Sequence, residues 1–89
     1  MKIYEKANHV EWDIIENQSV LIDTREMELF RLNEVGSAVW DTLDGQKKIE
    51  DILRELENQF DAPSKQIRKE VLGFIKKLSD RELIVEKNV

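Results

Sequence analysis

The residues able to do acid–base, nucleophilic or metal chemistry are narrow in kind: one histidine, His9, no cysteine, and 19 carboxylates in a chain of 89 residues. Without thiols, disulfide frameworks, thiolate zinc sites and cysteine nucleophiles are excluded, and one imidazole does not build a histidine metal cluster. The densest carboxylates, Glu50, Asp51, Glu55 and Glu57, fall opposite the apolar side of a helical segment, where they read as solvated surface. His9 stands at the start of a strand pattern, and Trp12 and Trp40 read as core residues rather than stacking platforms. No enzyme activity, metal site or cofactor is therefore expected. What remains is non-covalent recognition.

Charge points the same way. The net charge is −5, and it is unevenly spread: residues 1–32 hold four basic and seven acidic side chains, 33–62 three and eight, and 63–89 seven and four. The basic last third, with Lys65, Arg68, Lys69, Lys76, Lys77 and Arg81, keeps open a small winged-helix DNA-binding regulator. An acidic whole opposes it, because a nucleic-acid binder needs cations to displace condensed counterions from phosphate, and Leu83 to Val89 contains only Lys87 as a basic wing. No nucleic-acid partner is expected. No apolar run approaches the ~18 residues of a membrane span and the first residues lack a signal-peptide core, so a cytoplasmic protein without a membrane partner is expected.

The length is that of one small domain, residues 1–89, below the ~100 to 200 residues usual for a domain. Val10, Trp12 and Ile14 alternate with Glu11 and Asp13, the pattern of a half-buried strand over 9–15. Asn17-Gln18 turns the chain into a second strand, 19–24, and a third follows at 27–32. Short connections make an antiparallel meander the default, with the third strand at an edge.

From Asn33, a good N-cap, the apolar period becomes helical through Val35, Val39 and Leu43 until Asp44-Gly45. Ile49, Ile52, Leu53, Leu56 and Phe60 define a second helix over 48–60; Lys48 at its start is a poor cap. A third helix follows the loop 61–64, with Pro63 in its first turn, Ser64 a possible cap, and Ile67, Val71, Phe74 and Leu78 as its inward stripe. Leu83-Ile84-Val85 is a short apolar segment that returns to the sheet or packs under the helices, and Glu86 to Val89 should fray. The expected class is α+β and winged-helix-like: a three-stranded antiparallel sheet, three helices and a short C-terminal strand.

Two surfaces carry more apolar residues than this core requires. On the third helix, Leu72 and Ile75 lie outside the stripe, edged by Arg68, Lys69 and Lys76; they either widen the core or wall a groove for a peptide. On the third strand, Phe30 and Leu32 point to one face and Met27 and Leu29 to the other, with Glu28 and Arg31 giving only partial edge protection. That edge is either covered by the protein's own C-terminal segment or open to an added strand.

The run Leu32-Asn33-Glu34-Val35-Gly36-Ser37-Ala38-Val39-Trp40, then Leu43-Asp44-Gly45, then Glu70 to Leu78 and Leu83-Ile84-Val85, resembles the PqqD-like family, which supplies the recognition element for ribosomally made, post-translationally modified peptides (RiPPs). The resemblance implies a domain without chemistry of its own. It implies that the leader segment of a precursor peptide adds as a strand antiparallel to the third strand, is lodged against the third helix, and is delivered to a leader peptidase or other modifying enzyme.

Carried onto this chain, the peptide site is Met27, Glu28, Leu29, Phe30 and Arg31 with Arg68, Lys69, Leu72, Ile75 and Lys76; Leu72→Asp or Ile75→Asp should then abolish binding with the fold intact. Asn33 as cap, Gly36 for close packing, Trp40 as core and Asp44-Gly45 as turn match family positions that look structural. Asp23-Thr24-Arg25-Glu26 stands where the pyrroloquinoline quinone protein has Pro-Glu-Gly, and Leu43 where it often has Cys. The chain is more similar to the stand-alone leader-binding proteins of lasso-peptide clusters than to recognition proteins of quinone or radical-SAM pathways. A monomer is expected.

Overall fold

Six strands and three helices follow one another along residues 2–88, which are the residues described by the computed structural model: β1 (Lys2–Lys6), β2 (Val10–Ile15), β3 (Gln18–Asp23), β4 (Glu28–Arg31), α1 (Glu34–Thr42), β5 (Asp44–Lys48), α2 (Ile49–Gln59), α3 (Ser64–Asp80) and β6 (Ile84–Asn88). The strands form two antiparallel sheets, ordered β2-β3-β4 and β5-β1-β6. The α+β class, the β-meander, the three helices and the C-terminal strand are thus all present, with two further strands.

Local chemistry makes the meander. Glu16 and Asn17 take positive φ (53° and 65°), the backbone twist of a two-residue hairpin, so β2 pairs with β3 in unbroken register from Val10↔Asp23 to Ile15↔Gln18. At the next reversal the Asp23 carboxylate accepts hydrogen bonds from the backbone N–H groups of Arg25 (2.9 Å) and Glu26 (3.2 Å), and Met27, at φ 55°, aims the chain back along β3. Met27 therefore belongs to the turn, and β4 begins one residue later.

Asn33 caps α1 by accepting the Gly36 N–H at 2.7 Å. Beyond α1, Asp44-Gly45 does more than turn the chain. Asp44 accepts from the N–H groups of Gln46 (2.9 Å) and Lys47 (3.1 Å), Gly45 sits at φ 80°, and the segment becomes β5 beside β1. Its carboxyl is held below the ordinary value of 3.8, first by the Gln46 and then by the Lys47 backbone hydrogen bond. Pro63, rather than Ser64, is the N-cap of α3, and its carbonyl accepts from Gln66 and Ile67. Lys48 caps α2 without a side-chain bond.

The chain ends are also ordered differently from expectation. Glu86 and Lys87 do not fray: β6 runs antiparallel to β1 from Lys6↔Ile84 to Lys2↔Asn88, and it joins the second sheet rather than the meander. Val89 lies outside the described residues.

One core joins the layers. Trp40, Leu21, Leu43, Ile52, Leu53, Leu56, Val39 and Val71 are fully buried in it. Trp12 is not core: it is 47% exposed and packs edge-on against Trp40, ring centroids 5.5 Å apart, with the Lys6 ammonium 5.1 Å from its ring. Ile14, at 63%, is still more exposed, because helix cover over the meander reaches β3, where Ser37 Oγ accepts the Ser19 N–H, and leaves the hairpin tip bare. The stripe of α3 is Ile67, Val71, Ile75 and Leu78; Ile75 is 4% exposed and Phe74 only half-buried, the reverse of the expected assignment. At 100° per residue, a helix rotation of about 25° separates the two stripes.

Candidate functional site

β4 is the end strand of its sheet, paired on one side only: Val20↔Arg31, Leu21↔Phe30, Ile22↔Leu29 and Asp23↔Glu28. The Leu32 N–H bonds the Ser19 carbonyl at 2.9 Å, so with the alternation of an antiparallel ladder Glu28, Phe30 and Leu32 direct their backbone groups toward β3. Leu29 and Arg31 therefore present their N–H and C=O groups outward. Nothing among the described residues pairs with that edge.

A cavity of about 390 Å³ separates β4 from α3. Leu21, Leu32, Leu78 and Leu83 line its apolar floor, Phe30 and Phe74 its walls, and Arg31, Lys77 and Arg81 its rim, together with Asp80. Phe74 reaches the groove because Gly36 has no side chain: a Cβ there would lie 3.2 Å from the Phe74 ring. The expectation that Gly36 serves close packing is thus met, and its partner is a groove residue. Two ion pairs tie the start of β4 to the end of α3: Arg25 with Glu82 at 2.8 Å and Arg81 with Glu28 at 3.1 Å. The Arg81 guanidinium also lies over the Phe30 ring, 5.1 Å from its centroid.

The ten residues expected to form a peptide site divide. Glu28, Leu29, Phe30 and Arg31 are on β4, with Met27 in the turn before it. Lys69 lines a second groove of about 480 Å³ between α3 and the start of α1, which adjoins the first through Phe74 and Lys77. Arg68, Leu72, Ile75 and Lys76 are elsewhere. Arg68 is held by Glu57 (2.7 Å) and Glu50 (3.5 Å) of α2, and Lys76 by Asp80 (3.0 Å). Leu72, Ile75 and Lys76 line a separate cavity of about 380 Å³ with Lys2, Tyr4 and Ile49. Around α3, Leu72, Ile75 and Lys76 centre roughly 180° from Phe74, Lys77 and Arg81, so no rotamer brings both sets to β4. These four lie across the buried stripe from β4, so the expected groove wall and the β4 groove are different surfaces of α3.

Phe74, Lys77 and Arg81 line the β4 groove and are absent from the expected set. Their i, i+3, i+7 spacing is a visible stripe, but the core expected for this helix includes Phe74 and leaves Lys77 and Arg81 without an apolar anchor. Among the described residues there is no group of three or more metal-ligating side chains, and no helix is long and apolar enough to cross a membrane.

A family model described as Coenzyme PQQ synthesis protein D (PqqD) matches residues 18–84, from β3 to the first residue of β6. The chain belongs to the PqqD family. Its fold is shared by two solved structures. One, "TbiB1 in Complex with the TbiA(beta) Leader Peptide", superposes with a TM-score of 0.80 at 22% identity, covering 90% of this chain and 93% of that one. The other, "Lasso peptide synthetase B1 complexed with the leader peptide", also gives 0.80, at 13% identity, covering 92% and 96%. Curated proteins give no match. In this PqqD-family chain the structural roles expected of three positions are observed: Asn33 caps α1, Trp40 is wholly buried, and Gly45, at φ 80°, lets the chain turn after Asp44.

Proposed function

We propose that the chain binds the leader segment of a ribosomally made precursor peptide as a strand added antiparallel to β4, seated against Phe74, Lys77 and Leu78 of α3, and delivers it to separate maturation enzymes, with a leader peptidase of a lasso-peptide pathway as the favoured recipient. The observation that carries this reading is an unpaired strand edge standing beside an open apolar groove. Membership of the PqqD family and the leader peptides named in the two structural neighbours support it.

Magnitudes divide the labour. Leu29 and Arg31 offer four outward backbone groups, and four ladder hydrogen bonds at a net ~1 kcal/mol each give roughly 4 kcal/mol. That is half of the ~8 kcal/mol of micromolar binding, before the rigid-body cost of association is met. Side-chain anchors must supply the remainder, at about 1.5–3 kcal/mol for each apolar side chain fully buried. The ladder sets register without reading sequence, and the groove selects. A DNA-binding role for α3 is disfavoured by the engagement of Arg68 and Lys76 with carboxylates of the chain itself.

Titration of isotope-labelled protein with a leader peptide tests the reading. Amide resonances of Leu29, Arg31 and the stretch Phe74–Arg81 should move, and Leu29→Pro, which removes an outward N–H, should suppress the shifts. Shifts confined to the opposite side of α3, or none, would defeat it. Delivery is tested by leader cleavage: the peptidase should act faster on the loaded complex than on free precursor.

A further inference from the structure

The rim of the β4–α3 groove is uneven in charge. Three cations stand on it. Arg31 and Lys77 have no ion-pair partner among the described residues, and Arg81 spans the mouth, its Nη1 3.1 Å from Glu28 Oε2 and its guanidinium over Phe30. Of the two acids nearby, Asp80 pairs with Lys76 at 3.0 Å and lies in ion-pair contact with neither Arg31 nor Lys77. Among the described residues Glu28 is left as the single carboxylate holding Arg81. It comes from the edge strand itself, and the pair is solvent-exposed on both sides, 57% and 48%. An exposed pair of this kind is weak and readily exchanged. An incoming carboxylate loses little by displacing Glu28, and would have Arg31 and Lys77 for further company.

We propose that Arg81 is a specificity residue of this groove: it exchanges Glu28 for a carboxylate of the bound peptide, so that the groove selects an acidic leader segment, with Asp or Glu two positions from the apolar side chain that packs by Phe30. This rests on the strand-addition reading above. The spacing follows from strand geometry, since alternate residues share a face about 6.6–6.8 Å apart, placing an acid beside rather than within the apolar anchor site. The planar fork of arginine suits the role, because it can lie on an aromatic ring and donate along its edge to a carboxylate at once. The long, flexible side chain at the very end of α3 can follow the peptide without moving the helix.

The test uses fluorescein-labelled 12-residue peptides with a central Leu flanked two positions away on each side by Glu, Gln or Lys, together with the TbiA(beta) leader peptide as an independent strand-addition probe. By fluorescence polarisation, wild-type protein should bind the Glu peptide about tenfold tighter than the Gln peptide, in keeping with a charge-assisted hydrogen bond, and the Lys peptide weakest. Arg81→Glu should invert the order, favouring Lys, while Arg81→Lys restores the wild-type order in part. Glu28→Gln should tighten the Glu peptide by removing the internal competitor. A merely structural Arg81 would change all three peptides alike, and circular dichroism of each variant reports whether the fold is intact. Equal binding of the Glu and Gln peptides by wild type, or a wild-type order kept in Arg81→Glu, overturns the proposal while leaving strand addition standing. Absence of binding by every peptide, the TbiA(beta) leader included, overturns the strand-addition reading and this proposal with it.

Discussion

α3 presents two flanks, one on each side of its buried stripe, and both hold an apolar surface edged by lysine or arginine. On one flank Phe74, Lys77 and Arg81 face β4; on the other Leu72 and Lys76 face β1 and the start of α2. The difference lies in the strand opposite. β4 ends its sheet and has hydrogen-bonding groups to spare, whereas β1 is the middle strand of the other sheet, with β5 on one side and β6 on the other. An extended peptide on the β1 flank would find an apolar floor and no ladder. A groove of this kind is thus made by a helix flank and a strand edge together, and an apolar flank alone does not identify it.

The comparison breaks most visibly at Ile75. At 4% exposed, it is a core residue, and Ile75→Asp places a carboxylate within the buried apolar stripe. The expected cost, about 3 kcal/mol or more, is a large part of the ~5 kcal/mol that holds a domain of this size together, so the variant should lose its cooperative thermal transition by circular dichroism. A native, fully cooperative Ile75→Asp would place this residue on the surface and undo the assignment of the stripe.

The next effect separates the flanks directly. Phe74→Ala removes a wall of the β4 groove and should weaken leader binding by at least tenfold, about 1.4 kcal/mol, while the fold persists. Leu72→Asp, at a side chain 49% exposed on the far flank, should leave leader affinity within about twofold and stability nearly unchanged. Polarisation titrations of both variants with one leader peptide decide the matter: the reverse pattern would move the site to the β1 side.

What the sequence made legible, and what it hid, follows from the range of each signal. The β2–β3–β4 meander, the Asn33 cap and the β4 edge are written in neighbouring residues, by alternation, turn chemistry and spacing, while Gly36 as a close-packing position comes from the family resemblance. β1 and β5 were invisible because their residues, Lys-Ile-Tyr-Glu-Lys and Asp-Gly-Gln-Lys-Lys, are rich in charge and find their partners far along the chain, β1 against β5 and the C-terminal β6. Non-local pairing leaves no periodic mark on either segment. The stripe of α3 differs for another reason: a stripe read from spacing is uncertain by a fraction of a turn, and about 25° suffices to exchange Phe74 with Ile75 and so to move the expected wall to the flank away from β4.

The smallest predicted effect lies in the sheet that contains β1. Asp44, accepting two backbone hydrogen bonds at the start of β5, has a carboxyl below its ordinary 3.8 in the folded protein. A depressed folded value means that the unfolded chain binds the proton more readily, so the stabilisation is present in full above 3.8 and disappears as pH falls through the folded value. Asp44→Asn keeps an acceptor of the same shape but not its charge, and a neutral acceptor makes the weaker bond. Melting temperatures measured across the acid range should therefore lie slightly below wild type at neutral pH and converge with it at the acid end. Leader affinity at neutral pH should be the same for both proteins, because Asp44 serves the β5–β1–β6 sheet and not the β4 groove. A variant that lost affinity while its melting curve stayed native would link the two sheets energetically, and the groove could then no longer be treated as the property of β4 and α3 alone.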